Sequence, residues 1–408
     1  MNVTTKSQGM TEIKNGSIIS PHGFHAGGLH CGIRKTKLDL AWLYTEKEAV
    51  AAAVYTTNSF KAAPLNVTKE SIESNQTLSA LICNSGVANA CTGKQGEVDA
   101  LEMRHLTAAK LGLAEKDVAV ASTGLIGTLL PMDKIRSGID EIDFNKPSAA
   151  SFESAILTTD TVRKGVAVTL EIDGKTVTIG GAAKGSGMIN PNMATMLSFI
   201  TTDAHIEKGA LTNALKSITN QSYNMITVDG DTSTNDMVCV MANGLAGNDQ
   251  LDENHPEWHQ FYEALFFVSQ SLAKSIARDG EGATKLIEVQ VEGAHTEEEA
   301  QQIAKSIIGS NLVKTAIHGS DANWGRIITA IGYSGIEIDP NAVDVALGDI
   351  DVVKQGVPVD FDEIEAKRYL EQDEIVIYAS VGKGTASSKG WGCDLSYDYV
   401  QINASYRT

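Results

Sequence analysis

Hydrophobic and polar positions in this chain follow the two periods of regular structure in turn, so strand and helix signals alternate along its length. Residues 166–172 and 175–179 are apolar-rich runs on either side of Asp173-Gly174, a dipeptide suited to a two-residue hairpin turn, and they predict a pair of antiparallel strands. A glycine-rich stretch follows, read as a loop that carries Lys184 and leads to Thr195. Met196, Leu197, Phe199 and Ile200 then predict a buried strand. From His255 onward, Trp258, Phe261, Leu265, Val268, Leu272 and Ile276 recur at spacings of three and four. They predict a long helix with one apolar face, Pro256 in its first turn and Gly280 at its end. That stripe reads as core.

After Glu281 the period changes. Ile287, Val289 and Val291 alternate with Glu288, Gln290 and Glu292 as in a half-buried strand, and Thr296 with Glu299 forms a capping box opening a helix that stops near Gly309. Further strands are expected over residues 343–353 and 375–381. The glycine-rich segment 382–392 then leads into a last strand that closes near Asn403. The pattern divides the chain into residues 1–284 and a smaller α+β unit over residues 285–408, with no internal repeat or long flexible linker.

Composition narrows the function classes. A chain of 408 residues, 42% hydrophobic and 21% charged, can bury a large core, and its 37 glycines point to tight turns and close backbone contacts. The formal charge of −18 excludes nucleic acid or an anionic membrane as the main partner, since both need clustered Lys and Arg. The polar N-terminal segment lacks the apolar core of a signal peptide, and no apolar run approaches the ~20 residues that span a bilayer. Five cysteines without CxxC spacing fit reduced thiols in the cytoplasm. The nine histidines show no zinc-ligand spacing, so no metal is expected.

Several residues invite chemistry. Thr195 follows a small residue, Ala194, and precedes the apolar strand. A chain cut before it would expose a threonine whose own α-amine, with a pKa of roughly 7.7–8.0, can serve as general base beside its hydroxyl. On pattern alone a core strand with an incidental threonine is the favoured alternative, because nothing general makes Ala-Thr a cleavage signal. Thr123 and Gly124 stand in ASTGLIG, either an ordinary small-residue turn or a hydroxyl and an N–H aimed at one oxyanion, worth roughly 3–4 kcal/mol for a single donor. Lys184 lies among glycines, but GGAAKGSG does not match the GxxxxGK[ST] phosphate loop. Asp229, Asp231 and Ser233 resemble the start of a calcium loop, yet Thr234 and Val240 stand where that loop needs Gly and Glu; a polar turn supporting the active site fits better. No GxSxG elbow is present, and nothing supports a cysteine nucleophile.

The block KGSGMINPNMATMLSFITTDA, over residues 184–204, resembles the self-processing segment of the ornithine acetyltransferase family, the bifunctional glutamate N-acetyltransferase/amino-acid acetyltransferases of arginine biosynthesis. The resemblance covers nearly the whole chain. It continues in GFHAGGLHCGIRK (23–35), NSGVANACTG (84–93), ASTGLIG (121–127), TTDT (158–161), ITVDGDTSTND (226–236), NWGR (323–326) and WGCDLSYDYVQIN (391–403). Val87 departs from the small or polar residue common at its place but touches no expected catalytic group.

The resemblance implies a mixed α+β/αβ fold, an N-terminal-nucleophile-like catalytic domain of the DmpA-like sandwich type with a smaller α+β C-terminal domain. It implies cleavage between Ala194 and Thr195 into an α chain (1–194) and a β chain (195–408), pairing as two α and two β chains. It implies Thr195 as nucleophile and Thr123 with Gly124 as the oxyanion hole. Thr158, Lys184, Thr195, Glu281, Asn403 and Thr408 become the substrate contacts. The implied reaction moves acetyl from N2-acetyl-L-ornithine to L-glutamate without a cofactor, with acetyl-CoA as a further donor in bifunctional relatives. An amidase or aminopeptidase using the same threonine, and a non-catalytic metabolite-binding protein, are the alternatives from other classes.

Overall fold

The computed structural model describes residues 6–7, 9–190 and 196–405. Among them the strands form two sheets, giving a mixed α/β architecture. The larger sheet has ten strands, in the order Lys6–Ser7, Met10–Glu12, Lys164–Ile172, Lys175–Lys184, Leu197–Thr202, Met237–Ala242, Leu40–Tyr55, Thr77–Val87 and Val118–Leu125, with Phe24–Leu29 paired to Leu40–Tyr55. The expected hairpin is there: Asp173 and Gly174 have φ of +52° and +65°, the left-handed pair that a type I′ turn requires.

That hairpin runs further than its pattern indicated. The second strand continues through Gly180, Gly181, Ala182 and Ala183 to Lys184, so Lys184 ends a strand and does not sit on a loop. The small residues are there for close packing. A Cβ on Gly180 would lie 2.2 Å from the Ser17 carbonyl oxygen, and one on Gly181 would lie 2.8 Å from Leu272. The apolar run after residue 195 is the expected strand, Leu197–Thr202, buried throughout. It pairs antiparallel with Lys175–Lys184 and parallel with Met237–Ala242.

The second sheet has seven strands, in the order Ile226–Thr227, Ala386–Cys393, Leu286–Ala294, Glu374–Ser380, Asp344–Leu347, Ile350–Lys354 and Val357–Pro358. Helix Trp258–Arg278 joins the two sheets, touching Lys164–Ile172 and Lys175–Lys184 on one side and Ala386–Cys393 and Ile226–Thr227 on the other. Phe261, Leu265, Val268, Leu272 and Ile276 are fully buried along it, each worth roughly 1.5–3 kcal/mol by transfer from water. One core therefore runs from the first sheet through this helix into the second. Pro256 lies in the turn before the helix, whose first flanking residue is Glu257. The Thr296/Glu299 capping box opens helix Glu297–Gly309 as expected.

Two other expectations change. Residues 343–353 do not form one strand: Gly348, with φ +57°, turns the chain between Asp344–Leu347 and Ile350–Lys354. Nor does a last strand close near Asn403. The final strand is Ala386–Cys393, and residues 397–405 form the helix Tyr397–Ser405. The chain leaves the sheet at Asp394, whose carboxylate accepts from the Thr284 and Lys285 N–H groups and from the Thr284 hydroxyl, with His318 at 2.7 Å. The aromatic and aliphatic residues that suggested a strand face solvent instead: Tyr397 is 88% exposed and Val400 65%.

Candidate active site

Parallel strands Thr77–Val87 and Val118–Leu125 place Gly86 beside Gly124 at one end of the large sheet. Gly124 has φ +127°, and a Cβ there would lie 2.3 Å from the Gly86 carbonyl carbon, so only glycine fits. Asn235 fixes this end, its amide donating to the carbonyls of Ala88 (2.6 Å) and Ser122 (2.8 Å). Ser122 in turn donates to Asn84 at 2.6 Å. The Lys184 ammonium donates to the Thr123 hydroxyl oxygen at 3.3 Å, which leaves the threonine proton free to point elsewhere.

Asp160 organises the residues around Lys184. Its fully buried carboxylate accepts from Gly185 N–H (2.6 Å), Thr158 N–H (3.0 Å) and the Lys164 ammonium (2.8 Å). Burial pushes this carboxyl up, but the charges of Lys164 and then Lys184, with the bonds from Lys164 and Gly185, pull it down to about 2. The backbone at Thr158 is held from the other side by Arg34, whose guanidinium donates to the carbonyls of Leu157 (2.7 Å) and Thr158 (3.1 Å).

Glu281 follows the long helix. Its N–H donates to the Ser186 carbonyl at 3.0 Å, and its buried carboxylate accepts from the Asn403 amide at 2.8 Å. Gly187 allows this approach, since a Cβ there would lie 2.4 Å from the carboxylate. Asp229 accepts from the N–H groups of Met188 (2.7 Å) and Ile189 (2.8 Å), which turns the segment after Lys184 back toward residues 226–236. Burial holds the Asp229 carboxyl above its ordinary range despite those donors. Burial, with Asp229 and Glu281 nearby, also raises the Tyr399 hydroxyl.

These elements enclose a cavity of about 190 Å³. Of the residues expected at the site, Thr123, Gly124, Thr158, Lys184, Glu281 and Asn403 all line it. Ala194, Thr195 and Thr408 lie outside the described residues. The walls carry one ammonium, Lys184, and three carboxylates, Glu281, Asp229 and Asp231. That charge pattern suits a small molecule bearing both a carboxylate and an amine. The turn at 229–233, expected to support the site, contributes Asp229, Asp231 and Ser233 to the wall.

Sequence reasoning missed Arg34, Asp160, Lys164, Asn235 and Tyr399. Arg34, Asp160 and Asn235 lie inside the quoted motifs, but their work is to hold backbone groups across large sequence separations, which no local pattern reports. Among the described residues, Asp173, His255 and Glu257 are grouped closely enough to suggest a cation. Both His255 ring nitrogens are engaged, Nδ1 accepting from Glu257 N–H at 3.1 Å and Nε2 lying 3.3 Å from Asp173. The group fastens the hairpin turn to the start of the long helix.

The sequence pattern of the ArgJ family matches residues 25–408. The chain belongs to the ArgJ family. It is 58% identical over 405 residues to the arginine biosynthesis bifunctional protein ArgJ of Oceanobacillus iheyensis, covering 99% of this chain and 100% of that protein. Against the ArgJ protein of Bacillus subtilis it is 56% identical over 393 residues, 96% of this chain and 97% of the relative. A crystal structure of ArgJ from Bacillus halodurans superposes with a TM-score of 0.51 at 59% identity, covering 52% of this chain and all of that one. ArgJ membership carries the broad activity anticipated from the sequence, that of a bifunctional acetyltransferase of arginine biosynthesis. Among the described residues of this ArgJ chain, no helix is long and apolar enough to cross a membrane.

Proposed function

We propose that this chain transfers acetyl from N2-acetyl-L-ornithine to L-glutamate through an ester on Thr195, and also takes acetyl from acetyl-CoA. The observation that supports this most is the single cavity in which Thr123, Gly124, Lys184 and Glu281 meet, at the end of the strand that pairs Lys184 with Leu197, two residues beyond Thr195.

In maturation the Thr195 hydroxyl attacks the Ala194 carbonyl, the peptide nitrogen leaves as the free α-amine, and water hydrolyses the resulting ester. Residues 1–194 and 195–408 stay together. In catalysis the α-amine takes the hydroxyl proton while the oxygen attacks the acetyl carbonyl of acetyl-ornithine. The Thr123 hydroxyl and Gly124 N–H donate to the tetrahedral oxyanion. The proton passes to the departing ornithine nitrogen, and acetyl stays on Thr195. Glutamate's amine then attacks that ester by the same route in reverse.

Lys184 pairs with the substrate carboxylate, Glu281 with its amine, and Thr158, Asn403 and Thr408 complete the pocket. Residues 1–284 act as the catalytic unit and 285–408 return the C-terminal segment to it. The assembly is two α and two β chains in the cytoplasm, free of cofactor. An assay of purified protein with glutamate and either acetyl-ornithine or acetyl-CoA tests the reading. N-acetylglutamate from both donors is the expected result, and free acetate without N-acetylglutamate would make the protein a hydrolase.

Glu281→Gln should raise KM for acetyl-ornithine by roughly tenfold or more, because it removes the charge facing an amine while keeping the shape and an acceptor for Asn403. Steady-state kinetics read this directly. An unchanged KM would make the carboxylate structural.

A further inference from the structure

Lys164 has no place in the chemistry above, yet it is buried to 2% exposure. Its ammonium donates to Asp160 at 2.8 Å, to Asp279 at 2.5 Å and to the Val162 carbonyl at 3.4 Å, which uses all three of its protons. Each carboxylate it holds leads to a different wall of the cavity. Asp160 carries the backbone of Thr158 and Gly185. Asp279 accepts from the Thr161 N–H and hydroxyl, and its own carbonyl accepts from Ser186 at 2.7 Å. The Ser186 carbonyl in turn receives the N–H of Glu281.

We propose that Lys164 is a positioning residue for substrate binding, acting through Asp160 and Asp279: by offsetting half of their charge it leaves the Lys184 ammonium free to meet the substrate carboxylate. The proposal rests on the functional reading above. The charge balance carries it. Two buried carboxylates share one dedicated ammonium, so the group holds a net charge of −1, and Lys184 is the next cation within reach of Asp160. Without Lys164 the group would carry −2, and in so buried a place that charge attracts Lys184 strongly. Lys184 would then turn from the cavity toward Asp160, and the grip on the substrate carboxylate would weaken.

The test compares wild type, Lys164→Met and the charge-balanced pair Lys164→Met/Asp160→Asn in steady-state transfer from acetyl-ornithine to glutamate, with thermal melts and fragment masses run on each. In Lys164→Met we expect KM for glutamate to rise by roughly tenfold or more while kcat stays within about threefold. In the pair, which restores the net charge of −1 but keeps one acceptor oxygen for the Thr158 and Gly185 N–H groups in place of two, KM should fall at least about threefold from that of Lys164→Met. A folded, cleaved Lys164→Met enzyme with wild-type KM overturns the proposal. Should Lys164→Met fail to fold, the pair decides alone, and a tenfold rise in its KM overturns it. Wild-type protein that makes no N-acetylglutamate would instead defeat the functional reading itself.

Discussion

Thr195→Ala should purify as a single uncut chain and show no acetyl transfer, a loss on the order of 10⁴ or more in kcat, because one oxygen serves both self-cleavage and catalysis. Thr195→Ser keeps a hydroxyl and should still cut. The two variants separate loss of the nucleophile from loss of the fold, which the buried strand Leu197–Thr202 secures independently through its pairing on both sides. Intact mass and an acetyl-transfer assay on the same preparations are the measurements. An uncut Thr195→Ala that still transferred acetyl would remove the residue from its covalent role.

Gly124→Ala should have the second largest effect. The new methyl would lie 2.3 Å from one backbone atom of Gly86 and 2.6 Å from its carbonyl oxygen, and φ of +127° is strained for any residue with a side chain. The strand end has to move, and with it the N–H proposed to meet the oxyanion. A displaced donor costs on the order of 10²–10³ in kcat. The pairing of Gly86 with Gly124 also predicts a lower melting temperature than for wild type. A kcat within twofold or so of wild type would show that this N–H makes no contact with the transition state.

Much of the scaffold was legible because it obeys a single period. The long helix declares itself by Phe261, Leu265, Val268, Leu272 and Ile276, and the 166–184 hairpin by Asp173-Gly174, whose left-handed angles are those the pair is known to favour. What failed did so for physical reasons. Glycines at 180 and 181 read as a loop when they are strand residues pressed against Ser17 and Leu272. Residues 397–403 read as a strand although they form a helix whose Tyr397 and Val400 cover no core.

The site divides in the same way. Thr123 and Lys184 could be named because their motifs are contiguous in the chain, and Glu281 because the family resemblance assigns it to substrate binding. Asp160 and Lys164 could not, since their meaning lies in Asp279, more than a hundred residues away, and in the backbone of Gly185. Asn403 was named for the wrong element and still reaches the cavity, because the helix that carries it is set down by Ser396 donating to the Gly282 carbonyl at 2.6 Å.

The central claim is that acetyl rests on Thr195 between donor and acceptor. Its most direct test is the mass of the purified, self-cleaved protein after mixing with acetyl-ornithine in the absence of glutamate. The account predicts that the fragment starting at Thr195 gains the mass of one acetyl group while ornithine is released, and that adding glutamate removes the gain as N-acetylglutamate forms. A fragment that stays unmodified, in an enzyme that produces N-acetylglutamate only when donor and acceptor are present together, would contradict it.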